Sequence, residues 1–181
     1  MRSIPTLRVL VHTRAERELA VSHWLLSAAD DIALARNEWA NSGITLLRCG
    51  GVFTTIRLSA RLVQAAVGTT DPDAIDAYLT DFLRGGPVIA DTTSQLYYAL
   101  VPASAASRSP LAARALPDVR ILGPRCYLGV PHPQYTAPYE RRSYWPVPMN
   151  GPGALGSPDA VMQLVTEARH RRTTTDSTVG P

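Results

Sequence analysis

Arginine is the cation this chain relies on: all 18 of its Lys-plus-Arg positions are arginine, and lysine is absent. Arg48 and Arg57 flank Gly50 and Gly51, Arg61 follows closely, and Arg125, Arg141 and Arg142 lie in the proline-rich second half beside Tyr144 and Trp145. A guanidinium fork grips phosphate bidentately and an aromatic face stacks on a base, so this mixture suits single-stranded nucleic acid or a nucleotide. The missing lysine excludes other chemistry outright. No P-loop lysine can reach a phosphate, and no lysine can form a Schiff base or act as a general base.

The remaining polar groups match no catalytic constellation. No serine stands between glycines in a nucleophile elbow, and neither Gly50 with Gly51 nor Gly85 with Gly86 extends to a dinucleotide-binding fingerprint. Cys49 and Cys126 have no CxxC neighbour and read as small core hydrophobes. Cys126 and His132 could act as a thiol–imidazole pair only if they converged, and Pro131 and Pro133 fix His132 locally. His23 has no carboxylate or second histidine at helical spacing with which to bind a metal. Asp71, Asp73 and Asp76 are explained by helix capping, because Pro72, the absent turn glycine and the missing final glutamate reject a calcium loop. No metal site and no cofactor is expected.

A chain of 181 residues, 45% of them hydrophobic, can bury one real core. We expect a single α+β domain over residues 1–168, with a Pro-rich extended region at 131–156 and a disordered tail at 169–181. The net charge of +3 neither requires nor forbids a polyanionic partner. No apolar run is long enough to span a membrane and no signal-peptide core is present, so no membrane partner and a cytoplasmic protein are expected.

The elements follow from period and punctuation. Residues 7–11 read as an edge strand. Thr13 and Glu16 form a capping box for a first helix with Leu19, His23 and Leu26 at helical spacing. A second helix begins at Asp30 and Asp31, carries Ile32, Leu34, Ala35 and Trp39 as apolar positions, and breaks at Gly43. Residues 44–48 and 52–58 read as a hairpin around the glycine pair, and 87–91 with 95–101 as a second hairpin. Between them lie a helix over 60–67, capped by Ser59 and stopped by Gly68, and a helix over 71–84 with Pro72 at its first position. Ile75, Leu79, Phe82 and Leu83 form the buried stripe of the latter. Residues 102–110 read as a mobile connection, 119–122 and 126–130 as a third antiparallel pair, and a last helix starts at Ser157 with Val161, Leu164 and Val165 buried. The fold class is α+β, an antiparallel or mixed sheet of hairpins packed against helices.

Trp39, the polar break at Asn41, Ser42 and Gly43, the strand ending in Cys49 and Gly50, and the run Gly51, Val52, Phe53, Thr54, Thr55, Ile56, Arg57 carry a family likeness. Together with Gly86, Pro87, Val88 and the stretch 97–102, this pattern resembles the N-terminal domain of bifunctional DNA primase/polymerases. These form the prim-pol branch of the archaeo-eukaryotic primases, and the likeness, over residues 20–148, is to short actinobacterial versions. The resemblance implies two acids one position apart on the strand after the glycine turn, where both face divalent metals, and a histidine on a later strand for the nucleotide phosphate. Residues 53–57 hold no acid here, and residues 95–101 hold no histidine. The resemblance therefore implies a catalytically degenerate member. It would bind nucleic acid or a nucleotide through Arg48, Arg57, Arg61, Arg125, Arg141, Arg142 and Trp145, without polymerase activity. Two alternatives stay open. One is an interaction scaffold for a protein partner that binds no nucleic acid. The other is an active nucleotidyltransferase drawing acids such as Asp91 and Asp118 from other strands.

Overall fold

A computed structural model describes residues 13–108, 116–139 and 141–178. The strand expected at 7–11 lies outside them. Among the described residues, seven strands and six helices follow one another as α1 (Arg14–Leu26), α2 (Ile32–Ser42), β1 (Ile44–Arg48), β2 (Thr54–Ser59), α3 (Ala60–Val67), α4 (Pro72–Phe82), β3 (Val88–Asp91), β4 (Leu96–Val101), α5 (Ala105–Arg108), β5 (Val119–Leu122), β6 (Tyr127–Pro131), β7 (Ser143–Val147) and α6 (Pro158–Thr178). Every strand pair is antiparallel. Five strands form one sheet in the order β5-β2-β4-β3-β7, and β1 pairs with β6 in a separate ribbon.

Local chemistry sets the helix ends. The Thr13 side chain and Glu16 cap α1 reciprocally, Ser59 accepts from the Leu62 amide at the start of α3, and Asp71 accepts from the Ala74 amide ahead of Pro72 in α4. Gly43 and Gly68 close α2 and α3 in the left-handed conformation. The second hairpin forms as expected, its turn held by Asp91, whose carboxylate accepts from the Thr93 and Ser94 amides.

The other two hairpins do not form. β1 and β2 were expected to pair with each other, as were β5 and β6. Instead β1 pairs with β6 and β2 with β5, so the connection after each first strand crosses from one sheet to the other. The two crossings pack together. The Cys49 amide donates to the Cys126 carbonyl at 2.9 Å, and a Cβ on Gly50, whose φ is +92°, would meet Pro124 at 2.7 Å. Gly50 thus serves a close approach between loops, where a two-residue turn was expected.

Two hydrophobic clusters lie on opposite faces of the five-stranded sheet. Ile56, Leu58, Val88, Ala90, Ala99 and Val101 join α3, α4 and α6 on one face, while Ile89, Leu100 and Trp145 join α1, α2 and the β1-β6 ribbon on the other. Pro146 is accommodated in β7 because β7 is an edge strand, where a missing amide breaks no inner ladder. Of the apolar positions expected on the first two helices, Leu26, Ala35 and Trp39 are buried, joined by Val21 and Leu25, while Leu19, Ile32 and Leu34 are 59%, 46% and 56% exposed. Phe82 is partly buried and stacks on Tyr78. Part of the connection expected to be mobile forms α5, with Ala105 in the core.

The tail expected to be disordered from 169 continues α6 to Thr178. Ala168 is fully buried, and the Arg172 guanidinium donates to Asp118 at 3.0 Å, so the last turns have a tertiary anchor that apolar periodicity does not register. Among the described residues no helix is long and apolar enough to cross a membrane.

Candidate functional site

The face of the five-stranded sheet that turns toward the β1-β6 ribbon is covered only in part, and its register can be followed row by row. Thr55 of β2 lies opposite Leu100 and Leu122 in a covered row. The next row sets Arg57 opposite Tyr98 on one side and Arg120 on the other. Directly opposed residues of antiparallel strands project from the same face, so Arg57, Arg120 and Tyr98 share one surface. Arg120 is exposed, and Arg57 and Tyr98 are half-buried. Neither arginine forms an ion pair with a carboxylate among the described residues. Burial first, then the charge of Asp91, push the Tyr98 phenol up, and Arg57 pulls it back down.

A second cationic group stands at the neighbouring edge. Asp118, just before β5, accepts from Ser59 at 2.9 Å and from Arg172 at 3.0 Å. Burial alone would raise its carboxyl, but those two bonds and the charges of Arg172 and Arg61 hold it below the usual range. Arg172, from α6, thus pairs with this carboxylate, and the charge of Arg61, in the first turn of α3, also acts on it. At the other end of this row, across β2 and β4, Asp91 approaches Arg142 at 3.9 Å. Asp91 and Asp118 stand three strand spacings apart, roughly 14 Å, and each is already engaged, so they do not converge on one ion. Among the described residues no three or more of His, Cys, Asp and Glu are grouped to hold a metal.

The remaining expected residues scatter. Arg48 pairs with Asp30 at 3.6 Å on the ribbon. Arg125 is exposed in the loop before β6 with φ +71°. Arg141 lies over the Tyr135 ring, 4.9 Å from its centroid. Trp145 requires a correction as a base-stacking residue: it is 1% exposed, sits in the core, and its indole donates to the Pro131 carbonyl at 3.1 Å. Cys126 and His132 lie beyond opposite ends of the extended strand β6, so no thiol–imidazole pair forms. Cys49 is buried, which, with Cys126 beside it, pushes its thiol up to about 12.

Sequence reasoning missed Arg120, Arg172 and Tyr98. Arg120 and Tyr98 become site residues only through strand register, and Arg172 only through the continuation of α6. The one available signal was alternation: Arg57 and Arg120 each sit in a strand among apolar neighbours.

Comparison with protein-family models, with curated proteins and with solved structures found no match to this chain.

Proposed function

We propose that the chain is a prim-pol-like domain without the paired acids, and that the partly uncovered face of its five-stranded sheet binds phosphates of single-stranded nucleic acid or of a nucleotide without extending a primer. One observation carries the reading: Arg57 and Arg120 stand directly opposite each other on neighbouring strands, and among the described residues neither is paired with a carboxylate. Like charges so placed repel, and a bound anion turns that repulsion into a bidentate grip. Tyr98, next to Arg57, offers an aromatic surface for a base. The resemblance supports the same surface, because Thr55 and Arg57 alternate on the strand where the family's metal-binding acids would stand.

Anisotropy of a labelled oligonucleotide at increasing salt tests this. Wild-type protein should bind more weakly as salt rises. Charge reversal of Arg57 and Arg120 to Glu should cost ~1–3 kcal/mol for each lost contact and flatten the salt slope by ~0.7 per phosphate released, whereas Arg36→Glu on α2 should do much less. With divalent metal, primed template and nucleoside triphosphates, no product should form. Equal effects of all three reversals would mean diffuse attraction, and a template-directed product would overturn the degenerate reading. A second reading, a scaffold for a protein partner, is favoured by Leu34, Leu46 and Tyr127, which are 56%, 61% and 46% exposed around one depression. Absence of oligonucleotide binding even at low salt would leave that reading in possession.

A further inference from the structure

The helix-covered face of the same sheet carries a different kind of row. Leu58, Tyr97, Ala90 and Tyr144 lie opposite one another across β2, β4, β3 and β7. An alanine between two tyrosines leaves space, and a cavity of about 280 Å³ opens there, lined by both rings, by Ile75 and Gln64 from the helices, and by Tyr139. Tyr139 is 74% exposed. Tyr97, which lines the cavity, is only 8% exposed, yet its hydroxyl has no hydrogen-bond partner among the described residues.

The charged groups nearest the tyrosines of this cavity are acids. Asp76 of α4 stands behind Tyr144 and accepts from its hydroxyl at 3.1 Å, with no arginine or histidine paired to it among the described residues. After burial, the charge of Asp76 is the next influence pushing up the phenols of Tyr97 and Tyr144, so the carboxylate is felt by both rings. Tyr139 is pushed up by burial and then by Asp73, Asp71 and Asp76. Asp91 lines the cavity too, and the cation beside it, Arg142, is engaged with it at 3.9 Å.

We propose that this cavity binds a small organic cation, an alkylammonium group held against the tyrosine rings, with Asp91 at the cavity wall and the Asp76 carboxylate behind Tyr144 as the negative charges that favour it. Phosphate or carboxylate would face the Asp91 carboxylate at the wall and the Asp76 carboxylate behind Tyr144, with only neutral donors such as Gln64 and Thr92 to offset them. A neutral ligand would leave the half-buried carboxylate uncompensated, whereas a cation gains both from it and from the aromatic faces. The volume, equal to roughly nine waters, limits the ligand to a small amine or the end of one side chain. The unpartnered Tyr97 hydroxyl supplies a further polar contact inside.

Nuclear magnetic resonance titration of the full chain tests this with four probes: choline, butylammonium, a capped lysine, and neohexyl alcohol, the uncharged isostere of choline. At least one ammonium should bind saturably in the millimolar range or tighter, shifting the amides of Tyr97 and Gln64, and about tenfold more tightly than neohexyl alcohol. Tyr139→Ala, on an exposed side chain that folding does not need, should weaken binding several-fold, and so should Asp76→Asn, which keeps an acceptor for Tyr144. Arg36→Glu should leave it unchanged. A capped lysine that outbinds butylammonium would support the same site filled by a peptide; the reverse order would support a free amine. No saturable shift with any ammonium, equal binding of the alcohol, or full affinity in both Tyr139→Ala and Asp76→Asn would overturn the proposal. Because the oligonucleotide assay reads the opposite face of the sheet, failure of either proposal is distinguishable from failure of the other.

Discussion

Asp76 couples one side chain to the pH dependence of the whole fold. Burial, with Asp73 and Asp71 nearby and in spite of the hydrogen bond from Tyr144, pushes its carboxyl up from 3.8 to about 6. The folded state therefore holds a proton between those values that the unfolded state has already released. Its contribution to stability is fully present below the unfolded pKa and is lost as pH rises through about 6. Asp118 works in the opposite direction, since its lowered carboxyl favours folding at higher pH. Comparing variants isolates Asp76. Asp76→Asn, which mimics the protonated form, should match wild type near pH 4 and exceed it near pH 8 by on the order of 1 kcal/mol once solvent screening is allowed for. Denaturant melts at both values check this, and equal stability of the two proteins at the higher pH would show that Asp76 is not destabilised by its surroundings. None of this is written in the local sequence. Asp71, Asp73 and Asp76 read as capping acids, and Asp71 does cap α4, but the contact of Asp76 with Tyr144 joins residues 68 positions apart. Thr55 is similar: its hydroxyl is fully buried without a hydrogen bond among the described residues, at a cost of ~1–3 kcal/mol.

Elements were more legible than their partners. Capping boxes, Pro72 and the stop glycines mark the helices because each acts within a few residues, and period-two patterns mark strands for the same reason. Strand pairing is a property of the whole sheet. Two short apolar runs around a glycine pair satisfy every local rule for a hairpin, yet β1 and β2 part into different sheets and take their ladder partners, β6 and β5, from far along the chain. The arginine pair at the candidate site was illegible for this reason: Arg57 and Arg120 meet only once β5 is placed beside β2. α6 shows the converse limit. Its later turns are rich in Thr and Arg and lack an apolar stripe, so their helical state rests on the first turns and on Arg172. The Arg172–Asp118 pair is partly exposed, at 42% and 29%, which places its worth at ~0.2–1 kcal/mol. A chain ending at residue 173 should thus melt with the full-length protein, whereas Arg172→Ala should lose up to ~1 kcal/mol and should remove most of what a chain ending at residue 168 loses. Unchanged melting of Arg172→Ala would show that the terminal turns are not anchored at Asp118.

At the scale of the molecule, one sheet serves two cores. Neighbouring residues of single strands belong to opposite clusters: Val88 and Ile89 in β3, Ala99 and Leu100 in β4, Tyr144 and Trp145 in β7. A strand that loses its packing on one face cannot stay ordered on the other, so the two layers should unfold together. The 3 tryptophans make this measurable, because Trp39 and Trp145 lie in the cluster on the ribbon side and Trp24 packs against it, while none lies on the side of α3, α4 and α6. Tryptophan fluorescence consequently reports one layer, and far-ultraviolet circular dichroism reports both. Leu79→Ala empties a buried position on α4, in the layer without tryptophan, and should cost ~2–5 kcal/mol. In a single cooperative unit the tryptophan midpoint in urea should fall as far as the circular dichroism midpoint, although no tryptophan touches the cluster that was altered. A tryptophan midpoint that stays in place while the dichroism splits into two steps would mean that the layers unfold separately. The face proposed to bind phosphate and the cavity proposed to bind a cation, on opposite sides of the sheet, would then be borne by separate folding units.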